Sequence, residues 1–537
     1  MVVTPNGAQI KIYNNPANIV EKKILPEQTY TYAYDAEYNL TNTQNIDSNL
    51  TFAYDPLSRL TIAQTAGTLA TTINYSYDDN NNLLGVNFYP YLSDLYIYDS
   101  LNRVTGINDQ YTGLLTNYTY DALSRRIGKT FAVSGSPFVV NYSYDLASNL
   151  LSINHERLTM NDLYTYDNVG NRLSLTDNNG LHNYAYDNVY RLATASNPNE
   201  NYSYDPVGNR NPLTQSYDSG NRLLDDGTYT YTYDHDGNMT KKVKKVGGDT
   251  TTYTYNSEDQ LVGVNGTITY KYDALGRRIE KNVGGTISRY LYDGEDIIQE
   301  YDGNNQAVAT YHHGLGIDEP IALDKAGQRY YYISDGLGNI TGLVNNSGNI
   351  VQSYRYDSFG NIIGSTGSLT QPYTYTGREY DSETGLYYYR SRYYDAKIGR
   401  FLREDPIWDT NRYAYVYSNP LNLVDPYGLR GVGLIYGFNG PNINLYINSL
   451  THTTVSVSID IINEACFSII HPIKWGKQTG NNFTEVVWVY GPKMPEYTKL
   501  SIKATIEIAA TYFGFEPYNI PEMTKIKTPI SPAKKDK

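Results

Sequence analysis

A short motif, Tyr-x-Tyr-Asp, recurs along most of this chain and constrains its fold more than any other feature. Clean copies begin at Tyr118, Tyr164, Tyr202, Tyr270 and Tyr354. Three residues after each aspartate comes Gly or Ser, and Asn or Arg follows. The aspartate returns after roughly 20 residues, a period typical of chains built by stacking one supersecondary unit.

The chemistry of one unit predicts a β-hairpin. In an extended strand the two tyrosines face one side, while x, usually Thr, Ser or Ala, faces the other. The aspartate is expected to accept backbone N–H groups of the turn, and Gly-Asn to supply positive φ values. Two strands of about six residues with their turns account for the period. No sustained helical spacing interrupts residues 30–400, so this region is predicted to be β throughout.

The aromatic composition supports a hairpin array and leaves a second role open. The chain has 59 Tyr against 11 Phe and 3 Trp, and each buried tyrosine hydroxyl needs a partner or water. A regular tyrosine ladder is typical of a scaffold, but aromatic faces also stack on sugars. Glycan binding therefore stays open as an alternative use of the surface.

The array ends in four distinctive stretches. They are Gly-Arg-Glu-Tyr-Asp at 377–381, Thr-Gly-Leu-Tyr-Tyr-Tyr-Arg-Ser-Arg-Tyr-Tyr-Asp at 384–395, Gly-Arg-Phe-Leu-Arg-Glu-Asp-Pro at 399–406, and Asn-Pro-Leu-Asn-Leu-Val-Asp-Pro-Tyr-Gly-Leu at 419–429. Together with the repeats, they resemble the YD repeats and the repeat-associated core of Rhs proteins. The C component of bacterial ABC toxin complexes and the teneurin shell carry similar repeats. The resemblance covers residues 28–429.

The resemblance implies a mostly β fold, a spiral of hairpins that winds into a cocoon and ends in an inward-curling plug. The expected organisation is a lead-in at 1–27, a shell at 28–370 and a self-processing segment at 371–429. A small α+β domain at 430–520, the candidate toxin, and a disordered tail at 521–537 follow.

The resemblance also implies a self-cleavage site formed by Arg392, Asp405 and Asp425, with the scissile bond between Leu429 and Arg430. Two close carboxylates that share a proton can activate water and protonate a leaving group, and a guanidinium can keep one of them ionised. Because proline follows both aspartates, an alternative is that they are only turn residues. No cofactor or metal is expected.

After Leu429 the Tyr-Asp signal stops and the charge changes. Residues 430–537 hold 11 Lys/Arg against 8 Asp/Glu, whereas the preceding residues hold 32 against 48. Strands are predicted at 444–447, 454–459 and 485–490, and a helix at 499–513. The polar residues that could belong to a nuclease or transferase site, or be structural, are His452, His471, Lys474 and Glu485. A nucleic-acid target stays open.

The expected location is outside the producing cell or on its surface, reached through a dedicated export system. Residues 1–17 show no signal peptide, no stretch approaches the roughly 20 apolar residues of a membrane span, and Cys466 alone cannot form an intramolecular disulfide. The partners expected are the chain's own C-terminal domain as cargo, secretion machinery or an upstream shell or plug, a cognate immunity protein, and glycans.

The leading functional hypothesis is a polymorphic toxin shell that encapsulates a C-terminal effector and releases it by self-cleavage. One alternative is a non-catalytic surface protein that binds carbohydrate or mediates adhesion. Another is a truncated Rhs gene fragment, since Met1 lies close to the first repeat and such a shell could be open at one end.

Overall fold

A computed structural model describes residues 2–429, apart from 68, 136, 159, 211–214 and 408–409, and the short strands at 432–433, 454–455 and 473–474. All of these residues lie in one compact unit, residues 1–479. The described chain is almost entirely β, which confirms the predicted fold class. Its two 3-10 helices are Tyr375–Gly377 and Val416–Ser418.

Three antiparallel sheets account for most of the strands. The first contains β1 (Val2–Val3), β2 (Gln9–Asn14), β3 (Val20–Ile24), β4 (Thr29–Tyr34), β5 (Leu40–Gln44), β6 (Asn49–Tyr54), β7 (Leu60–Thr65), β8 (Thr71–Tyr77), β9 (Leu83–Phe88), β10 (Leu92–Tyr98), β11 (Val104–Asp109), β12 (Gly113–Tyr120), β13 (Arg126–Phe131), β14 (Phe138–Tyr144), β15 (Leu150–His155), β16 (Met160–Tyr166), β17 (Arg172–Asp177), β18 (Gly180–Tyr186), β19 (Leu192–Ser196) and β20 (Asn199–Asn201). The second contains β21 (Ser216–Tyr217), β22 (Leu223–Asp225), β23 (Tyr229–Tyr233), β24 (Met239–Lys244), β25 (Thr250–Tyr255), β26 (Leu261–Val264), β27 (Ile268–Tyr272), β28 (Arg278–Val283), β29 (Thr286–Asp293), β30 (Asp296–Asp302), β31 (Ala307–His313), β32 (Pro320–Lys325), β33 (Gln328–Ser334), β34 (Ile340–Asn345), β35 (Ile350–Tyr356) and β36 (Ile362–Gly367). The third contains β37 (Glu379–Asp381), β38 (Leu386–Tyr389), β39 (Arg392–Asp395) and β40 (Arg400–Phe401).

Two further pairs lie after the third sheet. They are β41 (Leu423–Val424) with β42 (Val432–Gly433), and β43 (Thr454–Val455) with β44 (Ile473–Lys474). The predicted strands at 444–447 and 485–490 and the helix at 499–513 lie outside the described residues, as do His452, His471 and Glu485. Lys474 lies in β44.

Each inner strand of the two large sheets pairs with the strand before it and the strand after it, so both sheets are meanders of consecutive hairpins. In the hairpin at Tyr118 this tyrosine is buried and Thr119 is exposed, which confirms the predicted alternation. The register shifts at Tyr120, where the strand gives way to the turn.

The turn after Tyr120 shows why aspartate ends the motif. Asp121 accepts the backbone N–H groups of Leu123 and Arg125 at Oδ1, both at 2.9 Å, and Arg125 Nε donates to Oδ2 at 2.6 Å. The predicted capping role of the carboxylate is therefore confirmed. The expectation that two residues of the turn take positive φ was wrong. Only the third residue after the aspartate does, here Ser124 at +62°, because the next residue donates to the aspartate and begins the return.

The second tyrosine of most units links its hairpin to the preceding one. Its hydroxyl donates to a backbone carbonyl there, at 2.6 Å for Tyr120 to Val104 and 2.8 Å for Tyr144 to Arg126. This bond requires a hydroxyl, which explains why the repeat uses tyrosine and not phenylalanine.

The two large sheets share an apolar core and are joined by ion pairs. One apolar cluster contains Ile107 and Val140 of the first sheet together with Ile321 and Val344 of the second. Polar contacts also join the sheets, as where Arg126 lies 2.6 Å from Glu319. In the part of the chain that the structure describes, no helix is long and apolar enough to cross a membrane.

Candidate functional site

The segment 371–429 presents a densely packed platform of tyrosines. Tyr387, Tyr389 and Tyr394 are almost fully buried, and their hydroxyls are all hydrogen-bonded. Tyr387 and Tyr394 donate at 2.7 Å to the carbonyls of Gly360 and Phe359 in the turn after β35. Such a platform holds the residues around it rigidly.

Buried ion pairs fix this platform against the second sheet. Arg278 of β28, only 1 % exposed, lies 2.5 Å from Asp381 and 2.7 Å from Glu379 of β37. Lys281 lies 3.0 Å from Asp381. The segment is therefore attached to the second sheet by ion pairs that are shielded from water.

The three residues predicted to form the site lie together. Arg392 at the start of β39 places Nη2 2.8 Å from Asp405 Oδ2 and 3.3 Å from Asp425 Oδ2. Asp405 follows β40 and Asp425 follows β41, and all three residues are buried. One guanidinium nitrogen thus bridges two carboxylates that are distant in the sequence.

Burial and charge act on these groups in opposite directions. Burial raises the pKa of Asp405 to about 6, although Arg392 opposes the shift. The nearby charge of Asp425 adds to this rise. Burial also lowers the pKa of Arg392, while the two carboxylates oppose that change. A carboxyl with a raised pKa beside a second carboxylate is the arrangement needed for general acid–base chemistry.

Both aspartates are also turn residues, as the alternative interpretation of their Asp-Pro sequences predicts. Asp405 accepts the N–H of Ile407 at Oδ1 at 2.8 Å, and Asp425 accepts that of Leu429 at 2.9 Å. In each residue Oδ1 closes a turn, while Oδ2 faces Arg392.

The chain just before the predicted scissile bond is held residue by residue. Three successive carbonyls accept hydrogen bonds from three successive residues, the two of the turn between β38 and β39 and the first of β39. The pairs are Arg390 Nη1 to Pro426 O, Ser391 N to Tyr427 O at 3.2 Å, and Arg392 Nε to Gly428 O. These bonds place Leu429 beside Asp425, whereas Arg430 lies outside the described residues.

Gly428 meets two requirements, of which the first favours glycine and the second excludes any side chain. Its φ is +65°, and a Cβ there would collide with the backbone oxygen of Tyr389 and lie 3.1 Å from the nitrogen of Arg392. The close approach brings the 425–429 turn against the turn at 390–391, and a side chain would separate them.

Sequence reasoning missed the pair of Arg390 and Asp318, which holds this arrangement. Arg390, whose side chain donates to Pro426, lies 2.9 Å from Asp318 in the connection between β31 and β32. Arg378 pairs with the same carboxylate. Arg390 belongs to the distinctive stretch 384–395, but nothing in the sequence connects it to Asp318.

Two other features of the described residues do not extend the site. A cavity of about 10 Å³ borders Arg392 and Arg403, but neither Asp405 nor Asp425 lines it. That volume matches about one water-sized probe sphere.

A potential metal-ligand group, Asp109, His312 and Asp324, lies elsewhere between the large sheets. Arg329 Nη2 is 2.9 Å from Asp109 and 3.2 Å from His312 Nε2, and it also pairs with Asp324. A guanidinium already neutralises the carboxylates, so the group does not fit a metal ion.

Comparisons with known proteins agree with this architecture. Residues 181–441 match the family described as Teneurin YD-shell. The chain is 28 % identical over 341 residues to the tRNA3(Ser)-specific nuclease WapA of Bacillus spizizenii. It is 29 % identical over 223 residues to the tRNA(Glu)-specific nuclease WapA of Bacillus subtilis subsp. natto. These matches cover 62 % and 40 % of this chain but only 12 % and 9 % of the relatives.

Solved structures extend the likeness to most of the chain. The TcdB2-TccC3-Cdc42 structure has a TM-score of 0.56 at 18 % identity and covers 78 % of this chain and 27 % of its own. The Tc holotoxin pore of Photorhabdus luminescens has a TM-score of 0.57 at 17 % identity, with 80 % and 26 % covered. At these identities the likeness shows the fold. In its tandem Tyr-Asp hairpins, in the tyrosine-rich segment that ends them and in these matches, the chain is similar to YD-repeat shell proteins of the Rhs type.

Proposed function

We propose that this chain is the shell end of a toxin that hydrolyses its own peptide bond between Leu429 and Arg430 and so releases an effector. The observation that carries the proposal is the contact of one buried guanidinium, Arg392, with both Asp405 and Asp425. The residue before the bond donates its N–H to one of these carboxylates at 2.9 Å.

The reaction follows from the roles these groups can take. Asp425 accepts hydrogen bonds at both oxygens, as an ionised carboxylate does, and acts as the base that takes a proton from water. The water oxygen bonds to the carbonyl carbon of Leu429. Asp405, whose pKa is raised to about 6, gives its proton to the nitrogen of Arg430 as the C–N bond breaks. The products are the carboxylate of Leu429 and the amine of Arg430.

In this proposal the chain has three parts with different tasks. Residues 28–370 form the shell wall, 371–429 process the chain, and 430–520 are the effector carried as cargo, followed by a tail at 521–537. The buried ion pairs of Arg278 support a processing segment that stays with the shell after cleavage.

Intact mass of the purified full chain tests the cleavage. The wild type is expected to yield two fragments that separate after Leu429, while Asp405→Asn and Asp425→Asn remain whole. An uncut wild type under conditions that keep it folded would rule the proposal out.

The effector is tested by induction of the full chain in bacteria. The names of the WapA relatives make tRNA the first substrate to examine. Growth arrest with tRNA fragments is expected from the wild type, and neither from Asp425→Asn. A cognate immunity protein should suppress the arrest. Arrest of equal strength by Asp425→Asn would separate toxicity from processing.

Delivery completes the proposal. In this proposal the chain leaves its cell through a dedicated export system and acts together with an upstream shell or plug. The multi-component structures that share its fold support such a partner. Fractionation of a producing culture is expected to place the shell outside the cytoplasm or at the cell surface. Retention of all the shell in the cytoplasm would contradict this route.

A further inference from the structure

The turn that precedes the predicted scissile bond has the geometry of a repeat turn. In the repeat turn that starts at Asp205, Oδ1 accepts the N–H of Asn209 at 2.8 Å, and Gly208 has a φ of +87°. At Asp425 the same oxygen accepts the N–H of Leu429 at 2.9 Å, and the residue before Leu429 has a φ of +65°. Proline follows the aspartate in both turns.

The two kinds of turn differ at their last residue. In thirteen repeat turns this residue also donates from its side chain to Oδ2 of the aspartate. The residues that do so are Asn39, Arg59, Asn82, Arg103, Arg125, Asn149, Asn171, Arg191, Asn209, Arg222, Asn238, Arg277 and Asn339. Asn361 and Gln306, in contrast, donate only their backbone N–H to Asp357 and Asp302. At Asp425 the corresponding residue is Leu429, whose side chain has no donor. Arg392 approaches that Oδ2 instead, at 3.3 Å.

We propose that the donor-free side chain at position 429 is what converts a structural turn into a reactive one. This inference rests on the self-cleavage proposed above. Because leucine has no donor, the turn places no side-chain hydrogen bond of its own on Oδ2 of Asp425, and Arg392 approaches this oxygen. A donor at position 429 is expected to bind Oδ2 as in those thirteen repeat turns, because Oδ1 already holds residue 429 at the distance seen in them. That bond would stabilise the charged form and weaken it as a base.

Asparagine or arginine at position 429 would therefore slow self-cleavage. Asparagine is the sharper substitution because it nearly matches leucine in shape, so that polarity is the main change. The side chain at 429 thus acts as a specificity determinant of the processing step.

The experiment follows cleavage of the full chain by intact mass during cell-free synthesis at pH 6. Leu429→Asn and Leu429→Arg are expected to slow the reaction by about tenfold or more, the effect of a hydrogen bond to a charged group. Leu429→Met, which differs from leucine in shape but not in donor content, is expected to stay within about threefold. If Leu429→Met slows cleavage as much as Leu429→Asn, shape and not the donor controls the reaction, and the inference is overturned.

A second measurement separates this effect from damage to the fold. In the Asp405→Asn background, which keeps the chain whole, Leu429→Asn is expected to leave the thermal midpoint unchanged or raise it. A lower midpoint beside slow cleavage would overturn the inference. If the wild type cleaves and Leu429→Asn cleaves as fast, only this inference fails. If the wild type does not cleave, the proposed function fails and this inference fails with it.

Discussion

The repeat turns and the segment 371–429 use the same residue types for different purposes. In a repeat turn Asp121 and Arg125 are close in sequence and their side chains are 21 % and 13 % exposed. In the segment, Arg392 meets carboxylates from distant turns at exposures of 2 % for its own side chain, 9 % for Asp405 and 2 % for Asp425. Sequence separation and burial therefore turn an ordinary Asp–Arg pair into an arrangement with a shifted pKa.

The largest predicted difference in stability between the two regions is between the loss of Arg278 and the loss of Arg125. Arg278→Gln should destabilise the fold by about 3–5 kcal/mol, because it leaves the buried Glu379 without its cation and Asp381 with Lys281 alone. Arg125→Gln should cost only about 1 kcal/mol, because its pair is part-exposed. Denaturant unfolding of both variants measures the difference. Equal shifts in the unfolding midpoint would erase the distinction between the two regions.

The next contrast concerns two glycines with positive φ. Gly428→Ala should slow self-cleavage by about 100-fold or more, because the new Cβ collides with Tyr389 and displaces the chain before the bond. Gly170→Ala should leave the rate unchanged and cost about 1 kcal/mol of stability. Its Cβ would meet only Asn149 at 3.7 Å, and Ser124 already occupies the equivalent turn position.

The time course of intact mass decides this pair. Normal cleavage by Gly428→Ala would show that the close approach of the two turns is not needed for the reaction.

The pH dependence of self-cleavage sharpens the comparison further. The pKa of Asp405 is raised to about 6 by burial, so the protonated acid is lost above this pH. The rate should fall as pH rises through this value, by up to about tenfold per unit, as the coupled pair titrates. A flat profile between about pH 5 and 8 would contradict the assigned acid.

The same shift has a stability consequence of definite sign. The folded pKa of Asp405 lies above the ordinary value of about 3.9, so its stabilising contribution is complete below that pH. The contribution is lost as pH rises through about 6. The Asp405→Asn variant should lack this loss, which thermal unfolding across the range would reveal.

The smallest predicted effect lies in a single repeat. Tyr144→Phe removes one hydroxyl that donates to Arg126 O at 2.8 Å and should cost about 1 kcal/mol. Tyr89→Phe is the matched control, because that ring is 77 % exposed and its loss of a hydroxyl should change little. An unchanged unfolding midpoint in Tyr144→Phe would mean that these hydroxyls do not join neighbouring hairpins.

Much of the hairpin wall could be predicted because its contacts are local. The alternation of buried Tyr118 with exposed Thr119 and the capping by Asp121 follow from strand pleat and turn chemistry. The prediction that was wrong was the number of residues with positive φ in the repeat turn. Whether the residue after Ser124 continues the turn or returns to the aspartate depends on its own donors.

The candidate site could be predicted only in part from the sequence. The resemblance pointed to Arg392, Asp405 and Asp425, and their Asp-Pro sequences allowed a turn or a reactive role. The contribution of Arg390 and its partner Asp318 could not be predicted from the sequence, because no local pattern relates the two residues.

The sequence by itself determined that this chain forms consecutive hairpins, because the donors and acceptors of each turn lie within five residues of one another. Only the tertiary structure decided that one guanidinium lies against two carboxylates beside Leu429. This contact depends on how the third sheet and the 425–429 turn pack together. Their packing depends on the shapes and charges of residues that are far apart along the chain.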